Sequence, residues 1–178
     1  MNLQKLKQLD ALMEEEMQAE RIKGASLVIE HKGKRVFQNV YGSDKADSIY
    51  KVFSMTKPIT TVAAMMLYEQ GKIDLYDPVS KYLEGYANMK VASPEGLVDA
   101  REPITIRHLL NMTSGLVYPG EELVPDIMMR GLEKELHEKA VKAREEGKPL
   151  DNLYIINELG RAPLQFHPGD GWRYGISA

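Results

Sequence analysis

Residues 53–60 read Phe53-Ser54-Met55-Thr56-Lys57-Pro58-Ile59-Thr60. Ser54 and Lys57 form the pattern S-x-x-K, which on a helix places the lysine one turn beyond the serine on the same face. Apolar residues then recur with the helical period as far as Gly71, at positions 59, 62, 63, 66 and 67. The sequence therefore predicts a helix directly after Ser54, with an amine within reach of its hydroxyl.

A second copy of the same pattern, Ser48-Ile49-Tyr50-Lys51, shows that spacing alone does not select the serine. Ser48 lies in a β-branched and aromatic stretch, where residues three apart point to opposite faces. The start of a helix favours an anion at Ser54, because its backbone N–H groups are unpaired there. An alternative remains open at this point, in which Ser54 only caps the helix and Lys57 is solvated.

The flanking patterns predict the remaining elements. An amphipathic helix covers about the first twenty residues, and a β-hairpin pairs residues 25–30 with 35–41 around Gly33. Capping residues predict short helices after Asp77 and Thr105 and a helix from Asp151 to Gly160. Residues 126–146 form a longer helix with an apolar face of Ile127, Met128, Leu132 and Leu136. Strands followed by helices indicate an α+β fold.

Composition excludes several functional classes. The chain has 178 residues, a net charge of −3 and no cysteine, which excludes a thiolate nucleophile, and no like-charged run favours a nucleic-acid partner. The scattered histidines and the missing glycine-rich phosphate loops predict no metal and no cofactor. No stretch is apolar enough to span a membrane, and residues 1–6 lack the features of a signal peptide. We therefore expect a cytoplasmic protein, although a secreted form trimmed of its signal would look the same.

Three blocks in order resemble the family of β-lactamase-related serine hydrolases, which includes class C β-lactamases, esterases and penicillin-binding proteins. The first block is residues 53–60. The second is residues 104–116, Ile-Thr-Ile-Arg-His-Leu-Leu-Asn-Met-Thr-Ser-Gly-Leu, and the third is residues 163–169, Pro-Leu-Gln-Phe-His-Pro-Gly, followed by Trp172-Arg173-Tyr174-Gly175. The resemblance implies a serine β-lactamase-like or DD-peptidase-like fold that stops before its C-terminal strands. Residues 1–60 would supply the helix and hairpin of the sheet domain, and residues 61–178 a mainly helical subdomain.

The resemblance also implies roles for site residues. Ser54 would be the nucleophile of an acyl-enzyme mechanism, and Lys57 would stand beside it. Tyr174 would exchange a proton with the serine and the leaving group, helped by the positive charge of the lysine. Taken alone, Tyr174 and Trp172 would each be interpreted as packing residues.

Two departures from the family pattern shape the expected activity. Ile176 stands where β-lactamases have the asparagine of Tyr-x-Asn, which favours a carboxylesterase acting on small esters. The family's third motif, whose strand supplies the second N–H of the oxyanion hole, is absent, so we expect an incomplete chain that is poorly active alone. A C-terminal segment, a second chain or self-association would then complete the sheet. The alternatives are a β-lactamase or D-amino-acid peptidase acting on an amide, and a catalytically inactive binding or sensing module.

Overall fold

The computed structural model of the chain describes residues 3–177. It divides the chain into two units, Met1–Phe53 and Ser54–Ala178. In the described part of the chain, no helix is both long enough and apolar enough to cross a membrane.

The first unit contains one helix and one hairpin. A 3-10 turn over Leu3–Leu6 leads into helix α1 (Lys7–Gln18), and strands β1 (Gly24–His31) and β2 (Lys34–Gly42) pair antiparallel. The predicted helix and hairpin are confirmed, although residues 1 and 2 of that prediction lie outside the described residues. Lys32 and Gly33 form the two-residue turn of this hairpin, and both have positive φ, as a type I′ turn requires.

A buried tyrosine joins α1 to the hairpin. The Tyr41 hydroxyl donates to Asp10 Oδ1 at 2.6 Å, and Asn39 Nδ2 donates to the same oxygen at 2.8 Å. These two hydrogen bonds lower the pKa of Asp10 below its ordinary value, because they favour its ionised form.

In the second unit the helices are longer and more numerous than the strands. This unit contains α2 (Thr56–Glu69), α3 (Ile106–Leu110), α4 (Val124–Glu145) and α5 (Asn152–Leu159). Short 3-10 turns cover Phe53–Met55, Val79–Lys81 and Glu84–Tyr86. Two predicted caps are confirmed: Thr105 accepts from the His108 N–H, and Asp151 accepts from the Leu153 N–H.

The helix predicted after Asp77 is wrong. Pro78 is extended and pairs with Thr105 in an isolated bridge, so that the chain makes only the 3-10 turn Val79–Lys81. The Asp77 carboxylate instead accepts hydrogen bonds from Tyr82 and Lys81, which lower its pKa to about 2. The residue predicted to be a cap therefore holds a turn together.

A second hairpin was not predicted. Strands β3 (Lys90–Ser93) and β4 (Gly96–Asp99) pair antiparallel. Val91 also forms a parallel bridge with Leu164. The hairpin is thus stabilised by a residue far away in sequence, which local patterns do not reveal.

Two buried clusters form the core of this unit. One gathers around β3 and includes Val91, Ile104, Leu116 and Leu164, and the other gathers on α4 and includes Val117, Met129, Leu132 and Leu136. The predicted apolar face of α4 is wrong by part of a turn, because Met129 is buried whereas Ile127 and Met128 are exposed. Asp126 occupies a buried position on the same face.

Candidate active site

Ser54 lies in the 3-10 turn Phe53–Met55 that leads directly into α2, and its side chain is exposed. The alternative in which Ser54 caps the helix is wrong, because the N-cap is Met55 and its side chain makes no capping hydrogen bond. Phe53, immediately before the serine, has φ of 45°, a left-handed conformation that is costly for a bulky residue. Strain of this kind is concentrated at functional sites.

Lys57 follows in the first turn of α2, half-buried between two tyrosines. Its Nζ donates to the Tyr118 hydroxyl at 3.2 Å. The same Nζ lies 5.4 Å from the centroid of the Tyr174 ring and 5.7 Å from that of the Tyr118 ring, both within the range of a cation–π attraction. The structure therefore brings together two of the three predicted residues, Lys57 and Tyr174, and Lys57 follows Ser54 by three positions in the sequence.

Tyr118 is a site residue that the sequence analysis missed. Its ring centroid lies 6.1 Å from that of Tyr174 at an interplanar angle of 45°, an aromatic pair in the favourable range. Tyr118 follows the resemblance block 104–116 by two residues, where it is easily interpreted as a packing aromatic after Val117. Its hydroxyl is the group that accepts from Lys57, and 61 residues separate the two in sequence.

The segments that carry the two tyrosines are fastened to each other. The hydroxyls of Ser114 and Ser177 are both buried and lie 2.8 Å apart, and the Leu116 N–H donates to Ser114 Oγ. Gly175 passes so close to the Leu116 carbonyl that an added Cβ would lie 2.4 Å from that oxygen. A glycine directly after Tyr174 is therefore a steric requirement of this contact.

Ile176 does not stand in for a polar site residue. Its side chain is half-buried and packs against both core clusters. It thus occupies the interior beneath the tyrosine segment and offers no hydrogen-bonding group to a ligand.

Ser54 and Tyr174 are exposed and Lys57 is half-buried. A cleft of about 360 Å³ lies elsewhere in the same unit, between residues 86–89 and 99–103, and contains none of them. Within residues 3–177, no group of three or more histidine, aspartate or glutamate side chains is placed to hold a metal ion. The chemistry that this arrangement offers is that of a hydroxyl, an amine and two phenols.

The fold and the order of these elements define a mixed α+β protein of the β-lactamase type, with a serine in the turn before a helix and a lysine in the first turn of that helix. The Beta-lactamase family model matches residues 9–177, and the chain belongs to that family. Since the match covers both units, the family resemblance and the fold expected from it are confirmed.

Individual relatives are named as acyl-transfer enzymes. The chain is 27% identical over 178 residues to "Esterase EstB" of Burkholderia gladioli, covering 95% of this chain and 42% of that protein. It is 31% identical over 159 residues to "Acyltransferase calJ" of Penicillium decumbens, covering 82% of this chain and 35% of that protein. Among solved structures, "EstCE1, a hydrolase with promiscuous acyltransferase activity" matches with a TM-score of 0.66 and 27% identity, over 97% of this chain and 44% of that one. The chain spans less than half the length of each of these proteins.

Proposed function

We propose that the protein is a serine carboxylesterase that acts on small esters through an acyl-enzyme. The observation that carries the proposal is the position of Lys57, one turn after Ser54 and between Tyr118 and Tyr174. Relatives named as an esterase and an acyltransferase support the same class of reaction.

In the proposed first step, Ser54 Oγ attacks the carbonyl carbon of the ester and gives its proton to the Tyr174 oxygen. The cation of Lys57 stabilises negative charge on that oxygen. The carbon–oxygen bond to the leaving group then breaks, and the departing alcohol takes the proton from Tyr174. Attack by water on the acyl-serine, with its proton returned through the same groups, releases the carboxylic acid.

Acyl transfer to an alcohol is a second candidate outcome of the same acyl-enzyme. The names of calJ and EstCE1 favour it, since both include acyltransferase activity. The first half of the reaction is identical, and the two outcomes differ only in whether water or an alcohol attacks the acyl-serine. Product analysis with and without an added alcohol distinguishes the two.

A covalent phosphonylating probe tests the nucleophile, because labelling needs only attack by the serine oxygen on phosphorus with loss of fluoride, and no repeated turnover. We expect a fluorophosphonate probe to attach to Ser54, as identified by mass spectrometry of the labelled peptide. Ser54→Ala should abolish labelling. Ser48→Ala is the matched control, because it removes the serine of the second S-x-x-K copy and should leave labelling unchanged.

Labelling of the folded Ser54→Ala chain at the rate of the parent would refute the assignment. A chain that never labels would instead favour the inactive binding or sensing module. With Ile176 packed in the interior, we expect a short-chain p-nitrophenyl ester to acylate Ser54 and a chromogenic cephalosporin to be turned over slowly. Rapid hydrolysis of the cephalosporin would favour the β-lactamase alternative.

A further inference from the structure

Residues 172–174, which end at the candidate site residue Tyr174, alternate between exposed and half-buried side chains. Trp172 and Tyr174 are exposed, whereas Arg173 between them is half-buried. The charged side chain is therefore the one that turns into the protein, and the two aromatic side chains face outward. This reverses the expectation that Trp172 is a packing anchor.

Arg173 is fixed at three points. Its backbone N–H donates to the Met112 carbonyl at 3.0 Å. Its guanidinium donates through Nη1 to Gln165 Oε1 and through Nη2 to Asp126 Oδ2, both at 2.7 Å. The planar fork of an arginine is suited to holding two acceptors at once, which a lysine amine does less well.

Asp126 is the unusual partner in this arrangement. It lies in the first turn of α4 with 3% of its surface exposed, and its other oxygen, Oδ1, has no hydrogen-bond partner among the described residues. A buried carboxylate with one unpartnered oxygen is stable only while its counter-charge stays in place. The buried charge of Asp126 therefore holds Arg173 firmly, whereas the ion pair Arg130–Glu121 near the same end of α4 is exposed.

We propose that the Asp126–Arg173 ion pair is a positioning device for the reaction: it ties the Tyr174 segment to the core helix α4 and so holds the Tyr174 ring beside Lys57. The inference rests on the proposed function for its catalytic consequence. Neither residue is placed in contact with the substrate; both act through Tyr174.

The chain contains an intrinsic fluorescent probe for the Asp126–Arg173 ion pair, which we call the tether. Trp172 is the only tryptophan in the sequence and stands next to Arg173, so its time-resolved fluorescence anisotropy reports motion of the segment without any assay of activity. The variants are Arg173→Gln, Arg173→Lys and Asp126→Asn, with Arg130→Gln as the matched control. The double variant Asp126→Asn/Arg173→Gln removes the tether without leaving a buried charge unpaired, which keeps the test available where a single variant fails to fold.

We expect fast local motion of Trp172 to increase in Arg173→Gln and in the double variant, to increase less in Arg173→Lys, and to stay unchanged in Arg130→Gln. With a p-nitrophenyl ester, the acylation rate constant at saturation should fall by about 10²-fold in Arg173→Gln, because a displacement of about 1 Å costs that much. The half-saturating ester concentration should stay unchanged, since the tether does not contribute to ground-state binding.

Folded Arg173→Gln and double variants with the anisotropy of the parent would overturn the proposal, and so would a full acylation rate in a chain whose segment has become mobile. A parent chain whose ester reaction matches that of Ser54→Ala contradicts the proposed function alone. In that case the anisotropy still decides whether the ion pair holds the segment.

Discussion

Helices α2 and α4 lie in the same unit and use apolar residues in opposite ways. In the described part of the chain α2 contributes no buried residue, and Ile59, Val62 and Met66 along it are more than half exposed. Helix α4 is richer in charge, yet it buries Met129, Leu132 and Leu136 in one cluster. An apolar period therefore predicts a helix reliably, but it does not predict what the helix packs against.

This difference between α2 and α4 indicates that the candidate catalytic residues and the residues that stabilise the fold lie on different elements of the unit. The candidate nucleophile precedes α2 and Lys57 lies in its first turn, and this helix contributes little to the core, whereas the core lies on α4 and around β3. Substitutions matched by residue type in the two regions should therefore change different measurements.

A matched pair of leucine substitutions should give the largest contrast. Leu136→Ala removes a side chain that is 4% exposed on α4, whereas Leu67→Ala removes one that is 40% exposed on α2. We expect the free energy of unfolding to fall by about 2–5 kcal/mol for Leu136→Ala, and by about 1 kcal/mol or less for Leu67→Ala. Urea unfolding followed by circular dichroism measures both, and equal losses would contradict the comparison.

A matched pair of serine substitutions separates structure from reactivity. Ser114→Ala leaves the buried Ser177 hydroxyl and the Leu116 N–H without their partner, and should lower stability by about 1–3 kcal/mol. Ser54→Ala removes an exposed hydroxyl and should leave the unfolding midpoint unchanged while it abolishes labelling. If Ser54→Ala is the more destabilising of the two, Ser54 has a structural role that the geometry does not show.

Two tyrosines offer a third comparison. Tyr118→Phe removes the oxygen that accepts from Lys57, and should slow labelling of Ser54 by about tenfold with stability unchanged. Tyr86 is buried, its pKa is raised to about 12 by that burial, and its hydroxyl donates to the Ile156 carbonyl at 3.1 Å. Tyr86→Phe should lower stability by about 1 kcal/mol and leave labelling unchanged. Labelling rates and melting curves of both variants are the measurements.

The pH dependence of stability should show the smallest effect. His108 Nδ1 accepts from the Thr105 N–H in the capping box of α3, and burial lowers the pKa of His108 below its ordinary 6.5. The unfolded chain therefore binds a proton that the folded chain resists, so stability from this group is full above 6.5 and is lost as the pH falls.

Unfolding measured between about pH 7.5 and about pH 5.5 tests this group, because that range spans the titration of an ordinary histidine. His108→Gln should flatten the loss of stability on acidification. His137→Gln is the matched control, because it removes an exposed histidine from α4. An unchanged slope in His108→Gln would mean that the capping histidine does not titrate with unfolding.

Local sequence signals predicted much of the fold. The hairpin β1–β2, helices α2, α4 and α5 and the caps Thr105 and Asp151 all follow from period, turn residues and capping residues within a few positions. The hairpin β3–β4 did not, because its four-residue strands depend on Leu164. The position of Asp126 on the buried face of α4 likewise depends on Arg173, 47 residues later.

Local patterns likewise predicted only part of the candidate site. Ser54 and Lys57 were named from spacing at the start of a helix, and Tyr174 from resemblance to a family block; their catalytic roles stay predictions. The structure adds that Lys57 and Tyr174 are neighbours. Tyr118 could not be found from the sequence, because its contact with Lys57 joins two segments that no local pattern connects.

The bridge between Val91 and Leu164 can form only after Leu164 has been synthesised. The Leu164 N–H donates to the Lys90 carbonyl at 2.7 Å, and the Ala92 N–H donates to the Leu164 carbonyl at 2.9 Å. Roughly 70 residues must be made between the two partners, a wait of about 4 to 15 seconds at the usual rate of about 5–20 residues per second. Helix α4 can form during that interval, because its hydrogen bonds are local. The buried cluster around β3 cannot be completed until Leu164 has been synthesised. Tyr174 is synthesised later still, so Lys57 precedes by more than a hundred residues the tyrosine ring that it contacts.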